Sequence, residues 1–196
     1  MYDKFDIING ALVRIGANEI ASLDDDTTEG TTARRIYPNT LRDLLSRYRW
    51  RFMIGEALLA RLSAPPLGGW DAAYQIPTEA EVIESVTVNQ HSINFDRIGD
   101  QIRCNATVGE QVYLNFTYKV DETRFPGYFC TLLEFELASN LAIPVGDRGD
   151  LAEAYEKKSL RHFGLAKNLD AQGRTARRMP TGRFRRARWG TGSYGA

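Results

Sequence analysis

Val82-Ile83-Glu84-Ser85-Val86-Thr87-Val88 is the stretch that decides the architecture, because it alternates with a period of two and is rich in β-branched residues. Such a run is a strand with two distinct faces, Val82, Glu84, Val86 and Val88 on one and Ile83, Ser85 and Thr87 on the other. Working outward towards the C-terminus, Ile93 and Phe95 follow. Gly99-Asp100 then separates Phe95-Asp96-Arg97-Ile98 from Gln101-Ile102-Arg103-Cys104, and Val112-Tyr113-Leu114-Asn115-Phe116-Thr117-Tyr118 closes the series. Short runs with tight connections predict hairpins and an antiparallel sheet. Working outward the other way, Pro65-Pro66-Leu67-Gly68-Gly69-Trp70 is a turn-rich connector and Pro77 marks a further extended stretch. Residues 54–120 therefore read as a β-rich insertion.

On both sides the period lengthens to that of a helix. Phe5, Ile8, Leu12 and Ile15 predict a helix over about 4–15, with Asp3 as N-cap and Gly16 as C-terminal cap. Ala33, Tyr37, Leu41, Leu44, Leu45, Tyr48 and Phe52 make one stripe over about 32–52, and Pro38 inside it predicts a bend. Phe129, Leu132, Leu133, Leu137 and Leu141 line a helix over about 126–143 that Pro144-Val145-Gly146 should stop. Asp150-Leu151-Ala152-Glu153 has the form of a capping box. It opens a helix to about Leu169 bearing Leu151, Tyr155, His162, Phe163 and Ala166, and Gly173 ends it. The expected fold is α+β. About four helices (1–53 and 121–173) form a bundle, a small antiparallel β-sheet (54–120) is inserted, and an extended basic C-terminal arm (174–196) follows.

The 196 residues are 43% hydrophobic and 11% aromatic, the composition of a folded soluble protein. No run approaches the ~18–20 uninterrupted apolar residues of a bilayer span, so no membrane partner is expected. Met1-Tyr2-Asp3-Lys4-Phe5-Asp6 does not read as an export signal. Cys104 and Cys130 stand alone without metal-ligand spacing, and read as small core residues in a reducing compartment.

Charge is where the composition becomes informative. The chain has 25 acids and 25 Lys and Arg, yet the last 23 residues carry seven arginines and no acid. That leaves 25 acids against 18 bases in residues 1–173, a body of −7 and an arm of +7. The arginines (Arg174, Arg177, Arg178, Arg183, Arg185, Arg186 and Arg188) are interleaved with Phe184, Trp189 and Tyr194 and with four glycines. Guanidinium groups give planar, bidentate recognition of carboxylate or phosphate, and the rings can anchor in pockets. An asymmetry of this kind suits an arm that leaves its own domain to lie on another surface.

Residues with catalytic potential are sparse. His91 sits at a turn between strands and His162 on a helix face, neither beside a nucleophile in a recognisable setting. No phosphate-binding loop or dinucleotide fingerprint occurs. Asp24, Asp25, Asp26 and Glu29 invite a hard-cation reading, but the alternation of an EF-hand and its distal glutamate are missing. A solvated acidic loop fits better, and in a ring it could accept a neighbour's arginine. Arg47-Tyr48-Arg49-Trp50-Arg51-Phe52 alternates base and ring, as nucleic-acid stacking platforms do. On a helix, Tyr48 and Phe52 would instead face the core and the arginines would radiate outward. No metal and no cofactor is expected.

The residues together resemble a known family. Leu12-Val13-Arg14-Ile15-Gly16-Ala17, Ser22-Leu23-Asp24-Asp25, Thr28-Glu29-Gly30, Ala33 and Ile36-Tyr37-Pro38 come first. Arg42, Leu44-Leu45, Tyr48-Arg49-Trp50-Arg51-Phe52, Trp70, Ala73-Tyr74-Gln75 and Ile76-Pro77 complete the series. In these words the chain resembles the phage tail tubular protein A family, adaptors between portal and tail. The likeness covers about 10–80, and the later helices match it in length and layout.

The resemblance implies a non-enzymatic virion protein of the head–tail junction, assembled in the host cytoplasm. It implies a dodecameric ring that joins the portal protein to the tail tube or nozzle, with DNA passing through the channel without sequence-specific binding. Carried onto this chain, the portal-facing element is the arm, with its seven arginines as ionic contacts and Phe184, Trp189 and Tyr194 as anchors. Asp24, Asp25, Asp26, Glu29, Arg49 and Arg51 are the candidates for contacts between subunits. The alternative is a nucleic-acid-binding protein whose arginine-rich arm neutralises phosphates.

Overall fold

The computed structural model describes residues 3–64, 66 and 68–173. The arm from Arg174 to Ala196, with every portal-contact candidate on it, lies outside the described residues. Within them the fold is α+β, four helices and two small antiparallel sheets.

Helix α1 (Lys4–Arg14) opens on a reciprocal box. Asp6 N–H donates to the Asp3 carboxylate at 2.8 Å, and Asp3 N–H donates to the Asp6 carboxylate at 2.9 Å. Gly16, at φ 69°, turns the chain out of the helix in the left-handed region. Ile7, Ile8, Ala11 and Leu12 are its buried stripe.

Helix α2 (Thr28–Ser46) starts four residues before the expected position, because Thr27 Oγ1 caps it by accepting from Gly30 N–H at 3.1 Å. Pro38 lies inside it. The helix ends at Ser46 rather than near Phe52, which corrects the expectation that the apolar stripe ran on as helix. Trp50 is extended (φ −68°, ψ 133°) and fully buried, and its indole N–H donates to the Leu44 carbonyl at 3.0 Å. Terminating the helix frees that carbonyl, and the indole satisfies it. Trp50 is thus the core residue of the segment, whereas Tyr48 and Phe52 are only half-buried. A 3-10 turn, Arg51–Met53, leads into the β-rich insertion.

The insertion holds β1 (Ile54–Leu58), β2 (Ala72–Gln75), β3 (Ala80–Val88), β4 (His91–Ile93), β5 (Phe95–Ile98), β6 (Gln101–Cys104) and β7 (Val112–Tyr118). The single sheet expected from the sequence is two, ordered β1-β7-β3-β4 and β2-β6-β5. They curl around one core at two corners. Only Asn94 separates β4 from β5. At the other corner Leu59 N–H donates to the Val112 carbonyl and Leu62 N–H to the Ala73 carbonyl, both at 2.8 Å. The result is barrel-like, two sheets around a shared core with β1, β4, β2 and β5 as edge strands. Val86 and Val88 point inward as the alternation requires, but Val82 is 55% exposed. Register shifts against β7 at Ala80/Val82 and Ile83/Ser85 move the N-terminal half of β3 out of phase.

Helix α3 (Gly127–Gly146) is the centre of the bundle, packed on by α1, α2 and α4 (Gly149–Gln172). It is long and apolar enough to cross a membrane by length and composition. Phe129, Leu132, Leu133, Leu137, Leu141 and their neighbours spend that apolarity on the helices around it. Pro144 does not stop α3. The helix ends two residues later at Gly146, the last member of the expected stop, and its C-cap Asp147 takes the left-handed conformation (φ 50°, ψ 39°). The capping box expected at Asp150 is not the cap either. The N-cap is Arg148, whose guanidinium reaches the Ile15 carbonyl at 2.9 Å, and Glu153 pairs instead with Lys157 at 2.5 Å. Asp150 falls in the first turn of α4, where its charge complements the helix dipole.

Candidate interaction site

The segment between α2 and β1 joins the bundle to the barrel; of the six described candidates Arg49 and Arg51 lie on it, Glu29 in the first turn of α2, and Asp24, Asp25 and Asp26 in the loop before α2. Trp50 is its hub, edge-on to Phe129 and Tyr48 at 5.0 Å and stacked near Phe52 at 5.9 Å. Burying the ring forces its neighbours outward. Arg49 extends across to β3 and pairs with Glu84 at 3.2 Å. Arg51 uses its main chain, its N–H donating to both carboxylate oxygens of Asp170 at 3.2 and 3.1 Å.

An open groove of about 700 Å³ runs between α2 and the barrel. Tyr37, Leu41, Leu45, Tyr48, Trp50 and Met53 give it an apolar floor. Lys4, Arg42 and Arg49 stand on the helical side, and Glu81, Glu84, Lys119 and Glu122 on the other. At its end the Tyr37 phenol donates to Glu122 at 3.1 Å. Burial, then the Glu122 carboxylate, push that phenol far above its ordinary range, so it stays a donor.

The acidic loop lies at the other end of α2, where Asp24 lines a smaller depression of about 450 Å³ that shares Lys4, Tyr37 and Pro38 with the groove. Its four acids are not equivalent. Asp25 is a turn residue, accepting from Ser22 N–H at 3.0 Å and Ala21 N–H at 3.3 Å. Glu29 accepts from Asn18 at 3.3 Å. Asp24 pairs with Arg34 at 3.4 Å while remaining exposed, and Asp26 is exposed. Among the described residues no group of three His, Cys, Asp or Glu side chains is arranged to hold a metal ion. Asp24 and Asp26 are the members exposed to a partner, and Asp25 shapes the loop.

Both cysteines are buried, Cys104 in the barrel and Cys130 in the bundle, and burial pushes both thiols up, away from the reactive thiolate. His91 is exposed on β4. His162 packs edge-on to Phe135, with Nε2 3.1 Å from the Tyr128 carbonyl.

Three buried or partly buried carboxylates that tie the elements together were not singled out from the sequence. Glu134, on α3, is buried and holds Arg14 with Oε2 at 2.5 and 3.1 Å from two guanidinium nitrogens. Glu136 joins α2, α3 and α4 by accepting from Arg47 at 2.8 Å and from Ser159. Asp170 continues the buried stripe of Ser159, His162, Phe163 and Ala166 along α4. A carboxylate placed on an apolar stripe is a readable signal of a buried polar contact. The sequence matches no protein-family model and no curated protein.

Proposed function

We propose that this chain is a head-to-tail adaptor of a tailed phage, a non-enzymatic ring subunit that docks on a portal through its C-terminal arm. The observation that carries the reading is the segregation of charge. Residues 1–173 carry 25 acids against 18 bases, and the 23 residues that follow α4 carry seven arginines and no acid. The resemblance of its sequence words to the tail tubular protein A family supports it, and those words fall on α1, the loop after it, α2, the Trp50 junction and β2. In a closed ring each subunit offers one surface to a different surface of its neighbour. Asp24 and Asp26 on one subunit, and Arg49 at the groove and Arg51 at the junction of another, are suited to such a contact. An acidic body is also suited to a channel through which DNA must slide, because it does not grip phosphates. Arms that order on docking gain most when many copies bind together.

Native mass spectrometry of the protein alone, then mixed with its portal, tests the proposal. A monomer that becomes a portal-bound ring of about a dozen copies supports it. A small oligomer that ignores the portal and shifts with DNA, with affinity falling steeply in salt, makes the arm a phosphate binder instead. Deleting Arg174 to Ala196 should leave the body folded and unable to join portals. A truncated protein that still assembles on portals overturns the role given to the arm.

A further inference from the structure

The last turns of α4 and the junction into the barrel share one buried carboxylate. Asp170 is 3% exposed. It accepts from the Tyr128 phenol, in the first turn of α3, at 2.7 Å and from Arg51 N–H. Desolvation, then this hydrogen bond to Asp170, hold the Tyr128 phenol well above its ordinary range and keep it a donor. Two further contacts tie the same elements. Lys167 lies over the rings of Tyr48 and Phe163 at 5.5 and 5.4 Å. Gly173 lies so close to Arg51 that a Cβ there would stand 3.7 Å from its Nε. Each partner compensates the cost of burying the Asp170 charge, so losing either contact raises the free energy of the other end.

We infer that the C-terminal turns of α4 are a latch on the bundle–barrel junction, so that residues 166–172 and 50–58 open as one unit. The coupling is reciprocal by linkage: what stabilises the end of α4 stabilises the entry to the barrel, and the reverse. The arginine-rich segment starts directly after Gly173. If that segment docks as proposed above (the one step here that rests on the adaptor reading), docking is felt at β1.

Amide hydrogen exchange on the full chain, with no partner present, tests the coupling independently of the adaptor reading. The informative variant is Arg51→Pro. Trp50 already has the extended backbone that precedes proline, and position 51 opens a 3-10 turn, where a missing N–H is tolerated. The substitution therefore removes the donor to Asp170, and Arg51→Ala controls for the side chain. The expected result is exchange faster by on the order of fivefold at Ala166–Asp170 in Arg51→Pro and not in Arg51→Ala. Unchanged rates on α4, with faster exchange confined to 50–58, overturn the inference. Should Arg51→Pro not fold, Asp170→Asn reads the coupling from the other side. Faster exchange at Met53–Leu58 sustains it, and wild-type rates there overturn it.

Discussion

Replacing Trp50 with phenylalanine should cost about 2–4 kcal/mol of stability, far more than an apolar-for-apolar change usually does. The figure follows from two losses at a fully buried site. Shrinking indole to phenyl empties about 40 Å³, and at ~24 cal/mol per Å³ of residual cavity that is ~1 kcal/mol. The Leu44 carbonyl, which accepts from the indole at 3.0 Å, loses its donor in a buried place, a further ~1–3 kcal/mol. Tyr128, its ring centroid 6.5 Å away, cannot replace that donor without giving up Asp170, and Phe163, at 6.0 Å, has no donor to offer. Trp50→Ala sets the upper end at ~3–5 kcal/mol. Urea unfolding followed by circular dichroism measures the effect, since Trp70 and Trp189 complicate fluorescence. Tyr48→Phe, at a half-buried ring, should cost much less. A loss below about 1 kcal/mol for Trp50→Phe, or a larger loss at Tyr48, would refute the assignment of Trp50 as hub and return the segment to the helical stripe the sequence suggests.

Three further outcomes can be measured on the same protein. The phenols of Tyr37 and Tyr128, raised above their ordinary value of 10.0, are neutral in the fold and ionise more readily in the unfolded chain. Their stabilisation is complete below pH 10 and is lost as pH rises above it, by at most ~1.4 kcal/mol per pH unit at Tyr37 and less at the more exposed Tyr128. Tyr37→Phe should flatten the fall in urea midpoint between pH 10 and 12, and an unchanged slope would count against a buried phenol there. Arg14→Met should cost ~3–5 kcal/mol by stranding the Glu134 carboxylate, whereas Glu134→Leu leaves an arginine that can turn to solvent and should cost less. Equal costs in thermal melts would contradict that asymmetry. Gly55→Ala should destabilise the barrel by ~1–3 kcal/mol, because the new Cβ would stand 2.9 Å from Phe116 Cζ, and a neutral result would mean the ring moves freely.

How much of this was legible in the sequence depends on how local the deciding force is. The α1 cap at Asp3 follows from a side chain bonding its own neighbours, and the Gly16 exit and the turn at Gly99 between β5 and β6 from glycines at positive φ; all three appear where the pattern puts them. The junction misleads for the opposite reason. Tyr48 and Phe52 continue the stripe of α2 in spacing, but Trp50 gains more by leaving the helix for the core between α3 and α4. Asp150 and Glu153 have capping-box spacing, yet a distant contact, Arg148 to the Ile15 carbonyl, fixes where α4 begins. The division of one expected sheet into two depends on the corner at Asn94 and the pairing of 59–62 with residues from two different strands. Nothing in the alternation of β3 encodes that. Of the interaction candidates, the solvated character of Asp24 and Asp26 was readable from composition, whereas the pairing of Arg49 with Glu84 joins positions in different elements.

The junction is also where the architecture concentrates its mechanical weakness. The chain enters the barrel on β1 and leaves it on β7, and these are paired neighbours, Ile54 opposite Thr117. The barrel therefore hangs from the bundle by two adjacent antiparallel strands, which resist bending about their common axis poorly. Contacts across the gap must supply the stiffness, and they differ in worth. Arg49–Glu84 is half-exposed on the arginine side and contributes at most ~1 kcal/mol, less in salt. Tyr37 to Glu122 is better shielded but ties α2 only to the chain leaving the barrel. The Asp170 contact with Arg51 N–H is part-buried at the carboxylate's site and acts on the chain entering it. The shielded contact at the entry to the barrel therefore comes from the end of α4, the element that the arginine segment follows in sequence.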